Sequence, residues 1–437
     1  MARLPEPILP PEVLEQIIDQ LFDDTAALKS SSLICSALYP RARMHLLRNV
    51  ILKGPFFIST GPGQPTSLSL LSFGRRKEQI RNDCHAFYTY LENSPSRFHQ
   101  LIRRLSIHLN MNETECTADH DHKMTLVEPA LPLLLKSLGS LETLVVKRTV
   151  REEGSEIRQA LRKALARVTI KEVVLQGNID AEYMESLAPS LRSLTLDGRY
   201  SDDWNPQASY FLAGWHPYPC PVDAGIDPVY LESLIINEPN HSSAICGLVI
   251  SGLLRESRIK LTKIRRLQIE LGGSGQRRFD IYVESLIRGC PMVEWLSLEV
   301  KGDFIEGLSL DLKDWSEFAT LKGLELKTRN MQPSWWEYPL ISTSRALERL
   351  RLVYIISEPN KRREDFWRRL SDNLANGQLK LFQYVSIYIR IEGRLDGNDR
   401  LSSLDLDVLL LDDRWKRTAE RDESCSGDTY LFEWSTN

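Results

Sequence analysis

Cys116, His120 and His122 stand close together, interleaved with Asp119 and Asp121. A thiol and two imidazoles are zinc-ligand types, but a structural zinc site needs four well-placed ligands. Glu113 and Glu115 continue the polar run, which reads as a solvated acidic loop. Gly272-Gly273-Ser274-Gly275 follows an expected strand. It lacks the Lys-Ser/Thr pair with which a phosphate loop holds its ligand, so it reads as a turn. The chain has no Gly-x-Ser-x-Gly, no His-Glu-x-x-His and no Cys/His arrangement suited to nucleophilic catalysis. The expectation is a binding protein, not an enzyme, with no catalytic residue, no metal and no cofactor.

The composition narrows what such a protein could bind. With 437 residues, the chain has room for two or three domains or one long repeat array. Hydrophobic residues at 42% and charged residues at 26% are ordinary for a folded protein and argue against global disorder. A net charge of -4 gives no general field for nucleic acid or an anionic membrane. The basic run Lys361-Arg362-Arg363 is flanked by Glu358 and Glu364 and reads as a solvated helix start. Seven cysteines, an odd number without a Cys-x-x-Cys pair, fit a reducing compartment. The start is Pro-rich instead of apolar, and no apolar run approaches the roughly 20 residues of a membrane helix. The expected location is cytoplasmic or nuclear.

The elements that would carry binding begin at the amino terminus. Pro10 and Pro11 suit a helix start, where a missing N–H costs little. Glu12 and Glu15 then favour the positive end of the dipole. Leu14, Ile17, Ile18 and Leu21 make one apolar stripe at helical spacing. Asp23 and Asp24 end that helix, and Asp24 or Thr25 can cap the next. A short second helix is expected around Ala27 and Leu28. A third would run through Leu33, Ile34 and Cys35 to about Leu38. Pro40 would open a fourth, with Met44 and Leu47 on its apolar side. A bundle of under fifty residues is small for a self-sufficient core. Its apolar residues call for cover, from the rest of the chain or from a partner.

The order Leu9-Pro10-x-Glu12, Ile17, Leu21, Leu28 and Leu33-Ile34-Cys35 resembles the F-box motif. Pro40-Arg41-Ala42-Arg43 and His45-Leu46-Leu47-Arg48 are similar to the tail of F-boxes common in mushroom-forming fungi. One position departs: the family often has Trp three residues after the Cys, and this chain has Leu38. F-box proteins are substrate receptors of cullin–RING ubiquitin ligases and dock on the small Skp adaptor. The resemblance therefore implies adaptor contacts at Leu9, Pro10, Val13, Ile17, Leu28, Leu33 and Cys35, although each could equally be core. It implies the substrate-recognition subunit of a Skp–cullin–F-box ligase, with an unidentified protein substrate. The alternative is a leucine-rich interaction scaffold with a vestigial F-box.

A second pattern, apolar-x-x-apolar-x-apolar, fills the rest. It begins at Leu47-Val50-Leu52 and recurs at Ile102-Leu105-Ile107, Leu141-Leu144-Val146, Ile170-Val173-Leu175 and Leu191-Leu194-Leu196. Leu231-Leu234-Ile236, Ile264-Leu267-Ile269, Val293-Leu296-Leu298 and Leu321-Leu324-Leu326 follow. Leu347-Leu350-Leu352, Phe382-Val385-Ile387 and Leu401-Leu404-Leu406 complete the series. Later middle positions are 29, 28 and 26 residues apart (Leu267, Leu296, Leu324, Leu350), close to leucine-rich spacing. Each apolar-x-apolar pair points alternate side chains inward on a short strand. Ala160-Leu161-Ala164-Leu165 and Tyr282-Val283-Leu286-Ile287 have helical periodicity, while 257–261 reads as a short linker.

The expected fold class is α/β: an F-box helical bundle followed by a curved leucine-rich-repeat-like α/β solenoid. It resembles the irregular repeats paired with F-boxes in many receptors, without the usual Asn after the strand. A non-repetitive α/β domain with several similar strands is the competing expectation. The expected division is 1–50 for the F-box module, 51–100 for a linker and first irregular repeat, 101–412 for the array and 413–437 for a tail or cap. The 54–74 stretch reads as an insertion or linker. Two aromatic-rich interruptions, 199–230 and 331–338, supply the candidate substrate contacts Trp204, Tyr210, Trp215, Trp335 and Trp336. The competing expectation for these aromatics is a packed cover over the array.

Overall fold

The computed structural model describes residues 10–21, 24–34, 38–53, 57–59, 83–94, 97–109, 125–127, 129–148, 152–153, 155–177, 181–197, 227–237, 258–272, 279–301, 318–329, 347–356, 384–391, 415–420 and 429–435. The protein is mixed α/β and divides into two units, Met1–Leu191 and Arg192–Asn437.

The first unit opens with α1 (Pro11–Gln20), α2 (Thr25–Ile34) and α3 (Tyr39–Arg48). Pro10 is the N-cap of α1, where its missing N–H is harmless. Asp24 caps α2 by accepting the Ala27 N–H at 2.9 Å. Two short helices were expected where α2 is a single one. The run of serines does not break it, because the Ser31 and Ser32 hydroxyls donate to the Ala27 and Lys29 carbonyls at 2.8 and 2.7 Å. Ile18, Leu28 and Ala42 form the bundle's core, one from each helix, with Leu21, Leu38 and Leu46 packed against them.

α3 runs without an intervening residue into β1 (Asn49–Lys53), so the expected boundary at residue 50 falls inside a strand. β3 (Arg104–Leu109), β5 (Thr143–Arg148) and β7 (Glu172–Gly177) follow β1 in a parallel sheet. The expected triads set the register. Val50, Leu105, Leu144 and Val173 are cross-strand partners, as are Leu52, Ile107, Val146 and Leu175. All eight are buried. Each fully buried Leu or Ile contributes about 1.5–3 kcal/mol against its exposed state.

Between these strands lie α4 (Asp83–Glu92), α5 (Arg97–Leu101), α6 (Ala130–Ser137) and α7 (Ser155–Leu165). The expected helical stretch at Leu161, Ala164 and Leu165 is the buried side of α7. α8 (Ala181–Glu185) ends the unit. β2 (Phe57–Ser59), β4 (Thr125–Val127) and β6 (Glu152–Glu153) make a separate small sheet.

The second unit repeats the arrangement. β8 (Ser193–Asp197), β10 (Ser233–Asn237), β12 (Arg266–Gly272) and β13 (Trp295–Lys301) are parallel and adjacent. β14 (Gly323–Arg329), β15 (Arg349–Ile356) and β16 (Tyr384–Ile391) continue the sheet. Leu194, Leu234, Leu267, Leu296, Leu324, Leu350 and Val385 fall in one cross-strand row. α9 (Phe279–Arg288) buries Val283, Leu286 and Ile287, at the expected helical positions. The expected 257–261 linker instead contains β11 (Ile259–Lys260), which pairs with β9 (Val229–Tyr230). The expected tail includes β17 (Trp415–Glu420) and β18 (Thr429–Ser435). β18 pairs antiparallel with β16 and covers an edge that would otherwise be left open. The last triad, Leu401-Leu404-Leu406, lies outside the described residues.

One backbone device recurs two residues before seven of the middle positions. In the first unit, the Glu142 N–H donates to the Arg103 carbonyl at 2.8 Å and the Lys171 N–H to Glu142 at 2.8 Å. In the second, Glu232 donates to Arg192, Arg265 to Glu232, Glu294 to Arg265, Lys322 to Glu294 and Glu348 to Lys322, at 2.8–2.9 Å. The next residue along donates to the same carbonyl in each case. This satisfies backbone groups that enter the sheet ahead of the strand ladder. In the second unit these positions alternate in sign: Arg192, Glu232, Arg265, Glu294, Lys322, Glu348. Ion pairs join Arg192 to Glu232 at 3.0 Å and Lys322 to Glu294 at 3.4 Å. Among the described residues, no helix is long and apolar enough to cross a membrane.

Candidate partner-binding surfaces

The three-helix bundle divides its apolar residues sharply. Ile18 and Leu28 are 1% and 2% exposed, so the core is closed by the module's own side chains. Val13 and Ile17 sit one turn apart on α1 and remain 39% and 46% exposed. Leu33, near the end of α2, is 87% exposed. Pro10 is exposed as well. Of the seven residues expected at an adaptor surface, these four are open and Leu28 is in the core. Leu28 therefore positions its neighbours and has no exposed surface of its own in this chain. Leu9 and Cys35 lie outside the described residues, as do Trp204, Tyr210, Trp215, Trp335 and Trp336. Cys116, His120 and His122 also lie outside them.

Two polar clusters hold the bundle in shape. Arg41 grips Asp19 through both carboxylate oxygens, at 2.7 and 2.6 Å, and so ties α3 to α1. His45, one turn further along α3, is 2.8 Å from the same carboxylate. Hydrogen bonds from Arg41 and then His45 hold the Asp19 carboxyl well below the usual carboxylate range. Its bond to Asp19 raises the Arg41 guanidinium correspondingly. The second cluster is aromatic. The Arg43 guanidinium carbon lies 5.4 Å from the Tyr39 ring, 5.2 Å from Tyr90 and 4.8 Å from Phe98. Arg43 also donates to the Tyr39 hydroxyl at 2.7 Å. Tyr90 and Phe98 belong to α4 and α5, so this cage fixes α3 to the body of its unit.

The second unit offers a surface with different chemistry. On β12 to β15 the triad leucines are buried, and the residues between them alternate to the opposite face. The first such row reads Arg266, Trp295, Gly323 and Arg349, cross-strand partners in that order. The Trp295 ring lies over Gly323. A Cβ at residue 323 would stand 2.0 Å from Cε3 of that indole. Glycine therefore leaves the space that the ring occupies over this strand. Arg266 and Arg349 are exposed at either end of the row. Further along the strands, Lys327 pairs with Glu299 at 2.7 Å and Arg351 with Glu325 at 3.3 Å.

Sequence reasoning sought aromatic anchors in long interruptions and passed over Trp295. The available signal was its place one residue before a triad Leu, with glycine at the same place in the next repeat. Among the described residues no group of three or more His, Cys, Asp or Glu side chains converges as a metal site would. Cys84 and Cys290 are buried and in no disulfide, and burial pushes the Cys290 thiol up to about 12. The chain matches no protein-family model and no curated protein.

Proposed function

We propose that this chain is the substrate-recognition subunit of a Skp–cullin–F-box ubiquitin ligase. The amino-terminal helices dock on a Skp adaptor, and the parallel-strand body, a leucine-rich-repeat-like solenoid, holds a protein substrate. The observation that carries the reading is the division of apolar residues in the bundle. Its core is already filled by Ile18, Leu28 and Ala42, while Val13, Ile17 and Leu33 stay in water. Three large apolar side chains left exposed on one small module support a protein contact there. The body contributes by holding a substrate close to a ubiquitin-charged enzyme, so that rate comes from proximity. A ligase subunit of this kind works in the cytoplasm or nucleus.

Capture of the full-length chain by a Skp adaptor tests the proposal. Wild-type chain is retained; Ile17→Asp and Leu33→Asp are lost while their circular dichroism is unchanged. No capture of the wild type sinks the reading. One observation favours the scaffold alternative: Leu38, where F-boxes often have Trp, packs against the bundle's own core. A scaffold with a vestigial F-box predicts no adaptor capture at all.

A further inference from the structure

The row Arg266, Trp295, Gly323 and Arg349 has three properties that point to a ligand. The first is charge. In the second unit, the residues one position before each middle residue are Ser193, Ser233, Arg266, Trp295, Gly323, Arg349 and Tyr384. That row holds two cations and no anion. The second is availability. Arg266 and Arg349 make no ion pair among the described residues, whereas Arg351 and Lys327 on the same strands are bound to Glu325 and Glu299. Glu299 and Glu325 on this face are thus paired with other cations, and the row's two guanidinium groups carry no ion pair among the described residues. The third is shape. The Trp295 ring lies over Gly323, between the two arginines in the row. Strands stand about 4.8 Å apart, so the arginines are separated by three such steps, roughly 14 Å. That is the reach of about four residues of extended chain.

We infer that this row docks an extended acidic segment of a protein partner. Two of its Asp or Glu side chains meet Arg266 and Arg349, and an apolar side chain between them rests on the Trp295 ring. Guanidinium groups bind carboxylates through paired N–H donors, and a flat indole supplies the apolar contact typical of interface anchors. A single-stranded nucleic acid fits less well. Its phosphates need a continuous cationic track, and this row offers only two guanidinium groups, on strands three steps apart. The inference rests on the substrate-receptor reading and names the surface and chemistry that such a receptor would use.

The test uses the full-length chain and a fluorescein-labelled peptide of twelve residues, with glutamates alternating with glycines around a central leucine. A second peptide replaces every glutamate by glutamine. Fluorescence anisotropy is expected to show the acidic peptide binding about tenfold or more tightly than the neutral one, with affinity falling as salt rises. Arg266→Ala with Arg349→Ala removes that preference. Trp295→Ala weakens both peptides alike. Arg266→Lys with Arg349→Lys restores part of the preference and guards against a folding defect. Equal binding of the two peptides, unchanged binding by the double alanine variant, no binding by wild type, or tighter binding of an oligouridine strand would each overturn the inference. Adaptor capture is measured on the same samples. Loss of capture with peptide preference intact removes only the ligase reading, and loss of preference with capture intact removes only this row.

Discussion

The guanidinium carbon of Arg43 stands 4.8 Å from the centroid of the Phe98 ring. Tyr39 and Tyr90 complete the cage from α3 and α4. One cation thus joins the amino-terminal helices to the elements that follow them, and the bundle is held to its unit instead of being tethered by chain alone.

Arg43→Ala should lower stability by about 1–2 kcal/mol, the range for a partly desolvated cation over aromatic rings. Arg43→Lys should cost less, because the charge is kept and the planar stacking is lost. The urea midpoint, followed by circular dichroism, reads both. Equal midpoints for all three proteins would mean that the cage contributes nothing.

Leu28 and Ile17 should separate stability from docking. Leu28→Ala removes a buried side chain from the bundle's core and should cost about 2–5 kcal/mol. Ile17→Asp alters a half-exposed position and should shift the unfolding midpoint little while abolishing adaptor capture. If Ile17→Asp unfolds the bundle and Leu28→Ala does not, the assignment of core and surface is reversed.

Acid should loosen the α1–α3 clamp. The folded Asp19 carboxyl is held below its ordinary value near 3.8. Its contribution to stability is therefore fully present above that value and is lost as pH falls toward the depressed folded value. Comparing wild type with Asp19→Asn by thermal unfolding, the gap between them should be constant from pH 7 to pH 5 and should narrow below pH 4. A gap that widens on acidification would contradict the sign.

Gly323→Val should disturb the neighbouring strand more than its own. The new side chain would occupy the place of the Trp295 ring. Overpacking of this kind costs about 1–3 kcal/mol. Trp295→Ala should relieve part of that cost, so the double variant should be more stable than the sum of the single effects. Strict additivity in a double-mutant cycle would show that the two residues do not touch.

The strand register was legible in the sequence because the apolar-x-x-apolar-x-apolar unit puts its middle residue at one height in every strand. Leu267, Leu296 and Leu324 are partners in the sheet as they are in the pattern. What was not legible depended on neighbours distant in sequence. Helical spacing could list Ile17, Ile18 and Leu28 as apolar, but the burial of Ile18 and Leu28 is decided by where Ala42 sits. The stretch expected as two short helices holds the single helix α2, and the hydroxyls of Ser31 and Ser32 do not interrupt it. They are satisfied by carbonyls within it. The seat of Trp295 over Gly323 required pairing with a glycine from the next repeat, which no single window of sequence displays.

The alternation of sign from Arg192 through Glu348 has a consequence for how such a chain can change length. Excising one repeat, from Arg265 through Val293, would bring Glu232 beside Glu294. Excising two, through Leu321, would bring Glu232 beside Lys322. Each exposed pair is worth only about 0.2–1 kcal/mol, but like charges on adjacent strands always count against pairing. The sheet thus carries a parity rule: repeats can be added or removed in twos without penalty at this edge, and singly only by creating a repulsion.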